Sequence, residues 1–102
     1  MATEFEVMEA LKPVEDPELA LSVVDLGLIY GVKFEDEGKK AVIDMTLTSI
    51  ACPVGPQIRA SVHAAALKVP GIEDVYVNLV FSPPWRPRTM ANEDVLLHLG
   101  LA

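Results

Sequence analysis

Cysteine occurs once in the 102 residues, as Cys52. A single thiol excludes an internal disulfide framework, and it excludes a four-cysteine zinc or iron–sulfur site built by one chain. Basic residues are also scarce: eight Lys and Arg stand against fifteen Asp and Glu, a formal charge of −7. That balance repels a phosphate backbone and leaves no contiguous cationic stripe, which argues against nucleic acid and anionic membrane surfaces as partners. No apolar run approaches the roughly 20 residues that cross a bilayer. The first residues, Met1-Ala2-Thr3-Glu4-Phe5-Glu6, are acidic where a secretory signal is basic and then apolar. The expected location is cytoplasmic.

What is present suits one core. Half of the residues are apolar (51%) and 23% are charged, enough burial to offset the entropy of ordering a chain of this size as a single domain, 1–102. Thr3 and Glu6 form a capping-box pattern, and Phe5, Val7, Met8 and Leu11 follow as an apolar stripe, so a first helix runs to about Leu11 before Pro13 stops it. Asp16-Pro17-Glu18 reads as a turn or a short helical start capped by Asp16. Tyr30, Val32 and Phe34 then alternate with charged residues. Ala41, Ile43, Met45 and Leu47 alternate with Val42, Asp44, Thr46 and Thr48 beyond the turn residues Asp36-Glu37-Gly38-Lys39, which predicts an antiparallel hairpin. Val54, Ile58, Val62, Ala65 and Val69 recur at helical spacing up to Pro70-Gly71. A third strand through Val75, Val77, Leu79 and Phe81, reached across that helix, returns parallel to the strand before it. Pro83, Pro84 and Pro87 predict an irregular stretch, and a last helix covers Asn92 to Leu99, closing at Gly100. The expected class is α+β in the order α-β-β-α-β-α, around a small mixed three-stranded sheet.

Cys52 falls where the second strand gives way to the central helix, with Pro53 after it. Free N–H groups and the helix dipole there favour a thiolate, the form that binds metal or attacks electrophiles, and Thr48 and Ser49 add hydroxyl donors just upstream. The same position also suits a buried structural cysteine, and both readings stay open on placement alone. Neither His63 nor His98 is placed by the sequence to serve the thiol, and no oxyanion signature or phosphate loop occurs, so an enzyme is not expected. Asp16, Glu18 and Asp25 gather three carboxylates within ten residues. Asp25 lies in the apolar run Val23-Val24-Asp25-Leu26-Gly27-Leu28-Ile29, where a buried carboxylate needs hydrogen bonds or a cation. Trp85, with Arg86 and Arg88 beside it, reads either as a partner-docking segment or as a lid on the core.

These residues together resemble a known family. The ordered motifs are Asp16-Pro17-Glu18-Leu19, Ser22 through Tyr30, Met45-Thr46-Leu47-Thr48 with Cys52-Pro53, Val69-Pro70-Gly71-Ile72, and Pro83-Pro84-Trp85 with Met90. They are similar, over nearly the whole chain, to the domain of unknown function 59 family, also called MIP18-like. The resemblance implies a domain of the iron–sulfur cluster assembly (FSCA-like) type. It also implies a role in maturing or delivering clusters to client proteins, with Cys52 as cluster or metal ligand and Asp16, Glu18, Asp25, Gly27 and Thr48 as the other motif positions. It implies as cofactor a transient iron–sulfur cluster or iron, shared between the subunits of a homodimer or with a client. The family also holds accessory proteins of an oxygenase, which implies as alternative a metal-free binding module for an oxygenase or other client, with Cys52 structural. Their further cysteine-bearing tail is missing here, so the SufT-type assembly branch fits better.

Overall fold

The computed structural model describes residues 2–17, 19–47 and 55–100, with only the backbone of residues 87, 98 and 99. Helix α1 spans Glu4–Leu11, its first turn capped by the Thr3 hydroxyl, which accepts from Glu6 N–H at 3.2 Å. Of the expected stripe, Val7 and Leu11 are buried, whereas Phe5 is 71% exposed. The apolar face of α1 is therefore narrower than the sequence pattern suggests.

Two short strands follow, β1 (Glu15–Asp16) and β2 (Leu21–Ser22), paired antiparallel. The link between them is a turn and not a helical start: Asp16 Oδ1 accepts from Leu19 N–H at 3.3 Å, and Asp16 O accepts from Ala20 N–H at 2.7 Å. Such local side-chain-to-backbone bonds are the usual alternative to a helix for an aspartate in this setting.

The hairpin forms as expected from β3 (Ile29–Glu35) and β4 (Lys40–Met45), joined by a 3-10 turn over Asp36–Gly38. The ladder slips between Ile29 and Gly31, a bulge that places one extra residue, Tyr30, on the β3 side. Helix α2 (Gly55–Leu67) crosses over to β5 (Asp74–Leu79), which pairs parallel to β4, giving the mixed order β3-β4-β5. Alternation along β4 sorts the two faces: Ala41, Ile43 and Met45 are buried under the helices with Ile58, Val62 and Ala66 of α2. On the other face Asp44 accepts from Asn78 Nδ2 at 3.2 Å and stands 3.8 Å from Lys33 Nζ.

Beyond β5 the chain turns back across the fold. Residues 83–86 lead into a single helical turn, α3 (Pro87–Met90), where the prolines predict no regular structure; Pro87 opens that turn, the one helical position that tolerates proline. Helix α4 (Glu93–Leu99) is capped by Asn92, whose side chain accepts from Val95 N–H at 2.9 Å, and it closes at left-handed Gly100.

Candidate functional site

The segment 48–54 joins the end of β4 to the start of α2, and Cys52 lies within it. Cys52, Thr48 and Ser49 fall outside the described residues, as does Glu18. The two residues that bracket the segment are described, and they meet. A Cβ placed on Gly55 would lie 2.8 Å from Leu47 Cδ1, so the cysteine-bearing segment leaves and re-enters the fold at nearly one point.

That point is one end of a groove of about 700 Å³ between α2 and β5. Leu47, Val77, Leu79 and Phe81 make its apolar floor, and Pro56 and Ala60 line the helix side. Arg59 and His63 also line it, and among the described residues no carboxylate does. Arg59 reaches over Tyr76, its guanidinium carbon 6.0 Å from the ring centroid. Tyr76 alternates with the buried Val75 and Val77 and so belongs to the opposite face, which means Arg59 crosses the outer edge of β5.

This electrostatic character has a sequence signal that a motif-by-motif reading passes over. From Met45 to Ile72 there is no Asp or Glu, in a chain with fifteen of them elsewhere, and the tract carries Arg59, His63 and Lys68. Cys52 lies inside it. A thiolate in this tract has no neighbouring carboxylate in the sequence to repel it.

The carboxylates divide differently from expectation. Asp16 is buried, only 1% exposed, and its Oδ1 organises the β1–β2 turn. Asp25, expected to be buried, has an exposed side chain; what it gives the fold is its carbonyl, which accepts from Asn92 N–H at 2.9 Å. The apolar run around it is buried through Val23, Leu26 and Leu28, and Asp25 sits on the outward side of the same bend. Among the described residues no group of three or more His, Cys, Asp or Glu is arranged to hold a metal. His63 is half-buried in the groove wall.

The Trp85 side chain packs against the core. The indole is half-buried and donates from Nε1 to Leu26 O at 2.7 Å, while Tyr30 Oη donates to Pro83 O at 2.8 Å. Gly27, at φ +77°, lets Met90 approach so closely that a Cβ on it would run into Met90 O. Residues 83–92 thus clasp residues 25–30, joining two motifs that stand far apart in the sequence. Arg86 and Arg88 remain on the exposed outer side.

Comparison with known proteins gives the family and the fold. The family model for an iron–sulfur cluster assembly protein matches residues 4–79. The chain is 49% identical over 78 residues to the Fe-S protein maturation auxiliary factor SufT of Staphylococcus aureus, covering 76% of this chain and 88% of that relative. It is 43% identical over 79 residues to the Fe-S protein maturation auxiliary factor YitW of Bacillus subtilis, covering 78% and 76%. Among solved structures it resembles a domain of unknown function, DUF59, from Bacillus anthracis, with a TM-score of 0.87 and 37% identity over 97% of this chain and 92% of that one. The expected resemblance and the α+β fold both hold, and the chain belongs to the iron–sulfur cluster assembly protein family.

Proposed function

We propose that this protein is a maturation factor that holds an iron–sulfur cluster, or the iron of one, as transient cargo on the Cys52 thiolate and passes it to client proteins. Membership of the family carries the reading. Support comes from the acid-free tract around Cys52, since a thiolate-ligated cluster is anionic and gains from a setting without carboxylates. Thr48 and Ser49 supply hydroxyl donors to the cargo, and Asp16, Glu18 and Asp25 belong to the surroundings of the site.

A cluster takes about four protein ligands. One thiol per chain therefore leaves the rest to a second copy, a client or a small thiol, and a homodimer that brings two Cys52 together is the simplest arrangement. Incomplete ligation suits a carrier, because a cargo held by few bonds is readily given up. The role is binding and release in the cytoplasm, where thiols stay reduced, and it involves no enzymatic turnover. A metal-free accessory module docking through Trp85 is less well supported, since the indole N–H is engaged with Leu26 O.

The test is anaerobic loading with iron and sulfide, followed by transfer to an apo-client enzyme whose activity needs a cluster. Visible cluster absorption and client activation are expected for the parent and lost in Cys52→Ser. If Cys52→Ser activates the client as well as the parent does, the proposal fails.

A further inference from the structure

Among the described residues no strand pairs with the outer edge of β5, which borders the groove described above and is crossed there only by the Arg59 side chain. Val80 N–H donates to Met45 O on the β4 side. Successive N–H groups along a strand alternate in direction, so those of Val75, Val77 and Leu79 point away from β4. Asp74 Oδ1 accepts from Val75 N–H at 2.9 Å. Among the described residues nothing accepts from Val77 or Leu79 N–H. Sheet edges are normally protected by lysine, proline, a bulge or a covering element; β5, Asp-Val-Tyr-Val-Asn-Leu, contains neither lysine nor proline and pairs with β4 in unbroken register.

The flank of this edge carries one fixed cation, Arg59. Arg59 crosses it to reach Tyr76, and His63 stands one helical turn further along α2. Asp74 puts one carboxylate at the start of this edge, so the attraction for an acidic segment is confined to the stretch beside Arg59, from Tyr76 onward. A second copy is a poor occupant, because edge-to-edge pairing of two β5 strands would set two Arg59 flanks near one another.

We infer that the β5 edge takes up an extended segment of a client protein as an added strand. Its acidic side chains face Arg59 and His63, and an apolar side chain fills the groove over Leu79 and Phe81. That the partner is a client rests on the maturation-factor reading; the strand addition itself does not. Leu47 and Gly55, the described residues on either side of the cysteine-bearing segment in the sequence, line the same groove. Main-chain pairing would give such a site affinity with little sequence demand, and the charged flank would supply the selection.

The experiment titrates the full chain with three fluorescein-labelled synthetic octapeptides, read by anisotropy. One alternates Val and Glu, the second alternates Val and Lys, and the third is the Glu peptide with alternate amides N-methylated so that one edge cannot pair. The expected result is saturable binding of the Glu peptide, with at least about tenfold weaker binding of the other two. Arg59→Glu should reverse the charge preference, and amide exchange at Val77 and Leu79 should slow only when the Glu peptide is present. Absence of saturable binding, equal binding of the Glu and Lys peptides, or indifference to N-methylation would overturn the inference. Slow exchange at both amides in a peptide-free dimer would overturn it too, by showing the edge already filled by a second copy. A parallel titration of Cys52→Ser keeps the two proposals apart. Peptide binding together with full client activation by that variant removes the cargo role alone, and absent peptide binding with a strict need for Cys52 removes the added strand alone.

Discussion

Gly27→Ala tests the clasp between residues 25–30 and 83–92. Two costs fall on this substitution. The backbone sits at φ +77°, where an L side chain costs about 1–2 kcal/mol. The new Cβ would also collide with Met90 O and lie 2.6 Å from Met90 C, both backbone atoms that yield only if α3 withdraws. Withdrawal stretches the Trp85 Nε1 bond to Leu26 O and the Asn92 N–H bond to Asp25 O, each worth about 1 kcal/mol net. The expected loss is therefore about 3–4 kcal/mol, a large share of the ~5–15 kcal/mol that stabilises a typical domain. Two controls separate the terms. Gly100 has the same φ of +77° but open space around its would-be Cβ, so Gly100→Ala reports the backbone term alone, about 1 kcal/mol. Gly31, in open space and without positive φ, should change by less than about 0.5 kcal/mol when replaced by alanine. Urea unfolding followed by far-UV circular dichroism and by the emission of Trp85 measures all three. If Gly27→Ala costs no more than Gly100→Ala and leaves the Trp85 emission of the folded state unchanged, the clasp does not restrain the 25–30 bend as argued.

Further outcomes follow from the same contacts. Trp85→Phe, which leaves Leu26 O without its donor, should cost about 1–2 kcal/mol, and combining it with Tyr30→Phe should depart from additivity in a double-mutant cycle, because both bonds hold one segment. Asp16→Ala strips the β1–β2 turn of its side-chain acceptor and leaves Leu19 N–H unsatisfied, for an expected loss of about 2 kcal/mol by urea titration. Asn92→Ala removes the cap of α4 and should lower stability by about 1 kcal/mol, with helical signal reduced in the same experiment.

The hairpin, the central helix and the parallel return of β5 were legible because each writes a period into the sequence: two along β3, β4 and β5, and three to four along α2. The β1–β2 pair was not, since two-residue strands hold no period and Asp16 suits a turn and a helix cap equally well. Asp25 shows a different limit. Hydropathy puts the whole run 23–29 inside, whereas a tight bend turns one position outward while its neighbours are buried, and only the path of the backbone decides which. Trp85 and Gly27 were visible as motif residues, yet their segments are joined by the contacts of Trp85 with Leu26 and of Met90 with Gly27, about sixty positions apart and beyond the reach of local pattern. The cysteine stood out from its rarity. The cationic groove wall beside its segment was written in the sequence as a gap in acidic residues, a negative feature that motif searching does not seek.

The clasp bears on how much of this chain is needed for the domain to exist. The family match ends at residue 79, yet the groups that hold the bend at 25–30 lie between 83 and 92. A truncated form stopping at the match boundary would retain Cys52 and every described strand while losing the indole that packs on the core and the donor to Leu26 O. Such a fragment should aggregate or be degraded, and its inactivity would say nothing about the cysteine.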